Sequence, residues 1–251
     1  KREKKYGILL FLVEHSGEGR KIPDFGISEQ TQEEYTSSIE KKEVFQGMIQ
    51  DLVINDDSSF TVFYEEMMAI RNDSGNGTEL GVVVASTYSH DGKRLSEYLV
   101  PKMHFTINTL LRPLYLYYRE FAAPSLFKGN QYKSFVYARG NTQQYIFFND
   151  TERNNDLKKN KLTTRTGAFS TTKLVRVQGL TGDCDAFMYP LIGNESIPER
   201  NYLFGEKDKG HALALLTVSA QSKQNNSFVT LMLDKKNMRS KMVNLVWLEL
   251  K

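Results

Sequence analysis

The clearest structural signal in this chain of 251 residues reads LGVVVASTYSHDGKRLSEYLVPK, from Leu80 to Lys102. Residues 81–88 are apolar or β-branched, residues 90–93 have the composition of a turn, and residues 95–100 are again of the extended type. An Asp-Gly pair between two such runs predicts a β-hairpin, because the turn needs positive φ angles and glycine adopts them without a steric penalty. We therefore predict two antiparallel strands here, the second of which ends at Pro101.

The same pattern recurs on both sides of this hairpin. Residues 45–54 and 60–67 predict two strands before it, which gives four consecutive antiparallel strands between Phe45 and Pro101. Comparable apolar or alternating runs predict the remaining strands, at residues 6–13, 132–138, 144–149, 174–177, 186–192, 201–204, 211–219, 227–233 and 241–250. With about thirteen strands in all, the chain is predicted to be an all-β protein.

Three segments interrupt the β pattern. Ser28 to Lys42 is polar and is expected to form either a short capped helix that begins near Ser28 or a surface loop. Residues 112–122 carry large apolar side chains at spacings of three and four, which predicts a helix that connects two β units. Residues 151–173 contain few large apolar side chains and are expected to form a projecting loop.

The strands fall into sets that contain hairpins, and this grouping favours a β-propeller with antiparallel four-stranded blades. The blade-like units are residues 6–24, 44–102, 132–204 and 211–250. The alternative that the pattern leaves open is a β-sandwich. Closed propellers usually have at least four blades, so we expect the chain to be the carboxyl-terminal part of a larger propeller.

Composition limits the functional classes. There are 33 Lys and Arg against 30 Asp and Glu, and the net charge of +3 is too small to indicate binding to nucleic acid. Cys184 is the only cysteine, so no internal disulfide can form. The longest apolar run, Ile8 to Val13, is much shorter than a membrane-spanning helix requires. Because the chain begins with lysine, we expect residues upstream of Lys1.

A search for nucleophiles, metal ligands and cofactor motifs identifies no catalytic residue. The four histidines lack metal-ligand spacing, and His15 and His90 are expected to face solvent beside glycine turns. Cys184 lies between Asp183 and Asp185, which would raise the pKa of a thiol nucleophile. The chain has no nucleophile elbow, phosphate-binding loop or dinucleotide fingerprint, and we predict neither metal nor cofactor.

Pairs of acids are the remaining chemical signal, at Asp56-Asp57, Glu65-Glu66 and Asp183 with Asp185. A glycosidase needs two acids that face each other across a cleft, whereas adjacent acids on a strand point to opposite faces. Two loops, residues 55–57 and Asp150 with Glu152, offer oxygen ligands for calcium. Neither has the spacing of a calcium loop, so turn capping is the favoured interpretation.

The densest aromatic cluster lies in the helix predicted at residues 112–122. Tyr115, Tyr118 and Arg119 belong to residue types that are enriched at binding hot spots, and we predict that they contact a protein partner. The alternative is that they pack between blades.

Three segments of the chain resemble uncharacterised exported propeller-type proteins of Gram-negative bacteria. They are Met48 to Val62, Gly81 to Lys93, and Phe147 to Asp150 followed by Arg153-Asn154. Such proteins are often anchored by lipid at the outer surface, so the resemblance implies an exported, surface-associated lipoprotein whose lipid-bearing cysteine lies upstream of Lys1. The family supplies no catalytic motif.

These observations together favour a non-catalytic binding or scaffolding protein at the bacterial cell surface. We expect an accessory subunit of an outer-membrane uptake or secretion complex, with rigid blades that present long loops to a protein partner. Two alternatives remain open: a carbohydrate-active hydrolase that uses paired carboxylates, and a soluble sugar- or peptide-binding module.

Overall fold

The computed structural model describes residues 11–13, 17–21, 26–38, 44–72, 75–107, 134–140, 144–150, 165–166, 174–179, 202–205, 213–222, 227–234 and 243–250. These residues form fifteen strands and one helix, α1 (Glu29–Ser38). The strands are β1 (Phe11–Val13), β2 (Gly19–Lys21), β3 (Gly47–Ile54), β4 (Phe60–Asn72), β5 (Gly75–Tyr88), β6 (Arg94–Val100), β7 (His104–Ile107), β8 (Val136–Arg139), β9 (Gln144–Asp150), β10 (Arg165–Thr166), β11 (Leu174–Gly179), β12 (Tyr202–Gly205), β13 (Leu213–Gln221), β14 (Ser227–Asp234) and β15 (Val243–Glu249).

The predicted all-β class is confirmed, and the four strands expected between Phe45 and Pro101 form an antiparallel meander. β3 pairs with β4, β4 with β5, and β5 with β6. The Asp-Gly hairpin joins β5 to β6, with Val83 opposite Val100 and Gly92 at a φ of 85°. β4 is longer than the strand predicted at residues 60–67, because β4 and β5 remain paired as far as Asn72 and Gly75.

Two further strands extend this meander into a six-stranded central sheet. β5 has 14 residues, so its second half pairs with β6 while its first half pairs antiparallel with β7, which the sequence did not predict. β10 then pairs in parallel with β7, Arg165 opposite His104. Residues 165–166 therefore form part of the central sheet, although they lie within the segment expected to project as a loop.

Three smaller sheets account for the other strands. The second sheet has the order β12-β11-β9-β8 and the third sheet β13-β14-β15, and all their pairs are antiparallel. The third sheet is a meander, whereas in the second sheet the chain leaves between β9 and β11 to form β10 of the central sheet. β1 and β2 form a two-stranded sheet. The helix predicted at residues 112–122 and the strand predicted at residues 186–192 lie outside the described residues.

The middle of the central sheet, residues 61–65 of β4 and 80–86 of β5, is buried on both faces, as the continuous apolar run of β5 requires. On one face Val62, Tyr64, Val82, Val84 and Tyr88 pack with Tyr35 of α1 and with Phe45. We call this the helix face. On the opposite face side chains from β4 and β5 pack against the second sheet, and that cluster consists of Phe63, Leu80, Val83, Ala85, Val100, Phe135, Ile146 and Phe148.

The second sheet also contacts the third sheet. Ile146 and Phe148 belong to the cluster shared with the central sheet, whereas the ring of Phe147 stacks on Phe228 of β14 with a centroid distance of 5.0 Å. Successive residues of β9 therefore contact different sheets, because side chains alternate along a strand. Helix α1, the central sheet, the second sheet and the third sheet follow one another as packed layers.

Candidate functional site

Two turns of the central sheet and strand ends of the second and third sheets lie close together. Phe60 is paired with Tyr88, which places the β3-β4 turn beside the β5-β6 turn. Arg139 of the second sheet contacts Asp56 in the β3-β4 turn, and Gln221 of the third sheet binds the backbone of Arg139. We call this surface the turn face, and it comprises residues 55–59 and 89–93 with Arg139, Gly140, Gln144, Gln221 and Ser222.

The β3-β4 turn is held by hydrogen bonds within itself. The backbone N–H of Asn55 donates to the carbonyl oxygen of Ser59 at 2.7 Å, and the hydroxyl of Ser59 donates to Asp57 at 2.6 Å. This side-chain hydrogen bond, with the backbone N–H of Ser59, lowers the pKa of the Asp57 carboxyl. Ser58 has a φ of 64°, in the left-handed region. Asp57 therefore caps the turn, as the sequence predicted.

The β5-β6 turn repeats this arrangement. The backbone N–H of Ser89 donates to the carbonyl oxygen of Lys93 at 2.8 Å, and the Ser89 hydroxyl donates to the Asp91 carboxylate. That hydrogen bond lowers the pKa of Asp91. His90, between Ser89 and Asp91, is exposed, as expected for a turn residue. Both turns therefore present ionised carboxylates from a fixed backbone.

Arg139 connects the three sheets at the turn face. Its Nη1 lies 3.3 Å from Oδ2 of Asp56, while its backbone N–H donates to Oε1 of Gln221 at 3.0 Å and its carbonyl accepts from the same side-chain amide. The Asp56 side chain is 71% exposed, so the ion pair contributes little stability on its own. The amide of Gln221 fixes the backbone of β8 and leaves the guanidinium and the acids at the surface.

A polar network continues from the turn face into the protein. The side-chain amide of Asn55 donates to Ser59 and Thr61, and the hydroxyl of Thr61 lies 3.0 Å from that of Thr87. Farther in, burial raises the pKa of Tyr137 to about 12, and the neighbouring charges of Asp56 and Asp51 act in the same direction against Arg139. Tyr137 is therefore neutral at physiological pH, and its ring packs on Phe63.

A second charged cluster lies wholly inside the protein, between the central and second sheets. Nζ of Lys102 is 2.6 Å from Oε1 of Glu65, both side chains are fully buried, and Lys102 also donates to the carbonyls of Leu80 and Gly81. The hydroxyl of Ser134 donates to the same oxygen of Glu65. Because these side chains have no solvent exposure, the cluster functions as a structural link between two sheets and not as an open site.

The acid pair Glu65-Glu66 is divided between the two faces of the central sheet, as the strand geometry predicted. Glu65 contacts Lys102 on the side of the second sheet, while Glu66 accepts a hydrogen bond from the hydroxyl of Tyr35 on the helix face at 2.6 Å. These two carboxylates therefore do not form a joint site.

The other residues singled out from the sequence have different outcomes. Tyr115, Tyr118, Arg119, Cys184, Asp183, Asp185, His15 and His211 lie outside the described residues. His104 is buried, with Nε2 2.8 Å from the carbonyl oxygen of Asn149. Within the described ranges, no three histidine, cysteine or acidic side chains are grouped as metal ligands would be.

Sequence reasoning missed the residues that organise the turn face. Arg139 and Gln221 each stand at the end of an ordinary strand, and no local pattern indicates that they meet across 82 positions. Their one common signal is their position beside predicted hairpin turns.

Comparison of the chain with protein-family models, with curated proteins and with solved structures finds no match. In the part of the chain that the structure describes, no helix has the length and apolar character needed to cross a bilayer. The fold and the site together define the class of this protein: it is an all-β protein of packed antiparallel sheets with a polar turn face.

Proposed function

We propose that this protein is a non-catalytic binding or scaffolding protein that contacts a protein partner through the turn face. The observation that carries the proposal is the junction of three sheets at Arg139, where Asp56 and Gln221 come from the two neighbouring sheets. Binding residues are commonly located on loops that a rigid scaffold positions, and this junction has that organisation. Preorganised turns reduce the entropy lost on association.

The hydrogen bonds of the turn-face acids favour binding over hydrolysis. A carbohydrate hydrolase requires one acid with a raised pKa opposite a second carboxylate. Asp57 and Asp91 instead have lowered pKa values because hydroxyls of their own turns donate to them, and Asp56 is paired with Arg139. Asp57 and Asp91 therefore remain ionised and serve as acceptors for donors from a partner.

The cellular setting and the wider architecture belong to the same proposal. Following the resemblance, we place the protein at the surface of a Gram-negative bacterium, lipid-anchored through residues upstream of Lys1, as an accessory subunit of an outer-membrane uptake or secretion complex. We also propose that the layered sheets are blades of a propeller. The support is that the second and third sheets are antiparallel, and that the second sheet packs on the central sheet and the third on the second.

Site-specific photocrosslinking in Gram-negative cells tests the proposal. A photoreactive benzoyl-phenylalanine replaces Lys93 or Ser222 on the turn face, and Glu33 or Glu34 on α1 as matched exposed controls. We expect defined adducts with envelope proteins from the turn-face positions and none from α1. Adducts that form only from α1, or equally from all four positions, would contradict the assignment of the turn face.

A further inference from the structure

Helix α1 covers the helix face with little apolar contact of its own. Among its residues with described side chains, only Thr31 and Tyr35 are buried, and Glu29, Glu33 and Glu34 face solvent. The helix has ten residues, and isolated helices of this length are not stable in water. Its position on the sheet therefore depends on the contacts that hold it there.

One of these contacts is made at the amino terminus of α1 by Glu97 of β6, through several hydrogen bonds. One carboxylate oxygen accepts from the backbone N–H of Ser28 at 2.8 Å and from the Ser28 hydroxyl at 2.6 Å. The other accepts from Ser86 at 2.7 Å and lies 3.4 Å from Nε of Arg94. A carboxylate beside a helix amino terminus also interacts favourably with the helix dipole.

Further polar contacts complete the attachment. Just before α1, the carbonyl oxygen of Gly26 accepts from Nη2 of Arg94 at 2.7 Å and from the hydroxyl of Tyr88 at 3.2 Å. The hydroxyl of Tyr35 donates to Glu66, and Oε1 of Gln32 accepts from the backbone N–H of Phe45 at 2.9 Å. By contrast, the strands below are held by long backbone ladders, with β4 and β5 paired along nearly their whole length. Elements with few buried apolar contacts open at lower free energy than core strands.

We propose that α1 is a strap which separates from the central sheet while the sheet stays folded, and that the Glu97 carboxylate is the group that holds it closed. Separation exposes the apolar helix face, which includes Val82, Val84 and Tyr88. The strap therefore controls whether this second surface of the protein is accessible. It is a conformational device distinct from the turn face, and it does not depend on the function proposed there.

The hydrogen bonds that Glu97 accepts determine the direction of the pH effect. Burial opposes ionisation, but hydrogen bonds from Ser28, Thr31 and Ser86 outweigh it and lower the pKa of Glu97. Among the described residues, the ionisable groups that face it are Arg94 on its own strand and the phenol of Tyr64 on β4, and Arg94 also lies over the ring of Tyr88 on β5. With a lowered pKa, the attachment is fully present above the ordinary carboxyl range and is lost as pH falls through the pKa of the closed state.

Hydrogen exchange on the full chain tests the strap. Glu97→Gln removes the charge at nearly constant shape, and Glu33→Gln is the matched control because Glu33 is exposed on the same helix. At pH 7 we expect exchange of residues 26–38 to rise about tenfold to a hundredfold in Glu97→Gln, since hydrogen bonds to charged groups are the stronger ones. Exchange of β4 and β5 should not change, and Glu33→Gln should match the wild type.

A pH series on the wild-type chain provides the second measurement and does not depend on any variant folding. After correction for intrinsic exchange rates, protection of residues 26–38 relative to β5 should fall as pH drops below about 4.5. The proposal is overturned if α1 and the central sheet lose protection together, or if α1 keeps its full protection when Glu97 is neutral.

Discussion

At the scale of single residues, Lys102 makes an ion pair that is fully buried. Its ammonium group is fully buried beside Glu65, with two backbone carbonyls as further acceptors. Removing two charges from water costs several kcal/mol for each ion, and the pair offsets this only while both partners are present. The stability of the central sheet at this point therefore depends on keeping both charges, and Ser134, just before β8, joins the pair to the second sheet.

Replacement of Lys102 by methionine should lower the free energy of unfolding by about 3 to 5 kcal/mol, because Glu65 is left buried without its counter-ion. Urea denaturation measures the loss. Lys93→Met is the control, since Lys93 is exposed and its replacement should change stability by less than about 0.5 kcal/mol. Replacing Glu65 by leucine as well should restore part of the loss. A loss below about 1 kcal/mol in Lys102→Met would show that the pair is not structural.

The contacts of single side chains are also the feature that the sequence predicted least well. The positions of turn residues such as His90 and Asp57 were predictable, because turn chemistry is local. Lys102 and Ser134 meet Glu65 across 37 and 69 positions, and no local pattern indicates such a contact. Long-range polar contacts depend on how sheets pack, which residue spacing alone does not specify.

At the scale of elements, the sequence predicted the hairpins well. It predicted poorly a strand such as β5, which pairs with different neighbours along its two halves. The β5-β6 hairpin follows from alternation and an Asp-Gly turn, both of which are local. The sequence did not predict β7, because a strand of four residues is too short to show a clear alternating pattern. The position of β7 is set by its pairing with the first half of β5. The sequence left α1 open between helix and loop, and the structure shows a helix whose Thr31 N–H donates to the Ser28 hydroxyl, as in an N-cap.

Gly81 of β5 has no side chain, and this leaves room for the side chain of Glu66 to pass over β5 and contact Tyr35 of α1. A Cβ at residue 81 would collide with the Glu66 carboxylate and would lie 3.1 Å from the Glu66 Cβ. Gly81→Ala should therefore displace Glu66, weaken its contact with Tyr35 and lower the free energy of unfolding by about 1 to 3 kcal/mol. Urea denaturation measures the change.

The control for this substitution is Gly19→Ala, because a Cβ at Gly19 meets no atom within 4 Å. The double variant Gly81→Ala with Glu66→Ala should recover part of the loss, because the truncated side chain no longer collides. Equal effects at Gly81 and Gly19 would contradict the role assigned to Gly81.

At the scale of the whole molecule, three sheets are joined at the turn face through Arg139. The sequence predicted the sheets as separate units but not their junction, because the Gln221 contact joins residues 82 positions apart. The predicted propeller stays a prediction, since the described residues show packed antiparallel sheets and no closed ring. The arrangement of turns at one end is the feature on which the proposed binding role depends.

Gln221→Ala should lower the free energy of unfolding by about 1 kcal/mol, because it removes two hydrogen bonds between the third sheet and the backbone of β8. Ser219→Ala, at another exposed position on the same strand, should have a smaller effect. The comparison is made by chemical denaturation. If the two variants are equally stable, Gln221 does not hold the sheets together.

The common location of the turns is tested most directly by distances between paired spin labels, measured on a chain that carries Cys184→Ser. One pair joins Lys93 and Ser222, on turns of the central and third sheets, and the other joins Met68 and Ser222. Met68 is exposed and lies eight residues along β4 from Phe60, roughly 27 Å from the turn face. The account predicts that the distance between labels 93 and 222 is clearly the shorter of the two. Equal distances, or a shorter one from position 68, would contradict it.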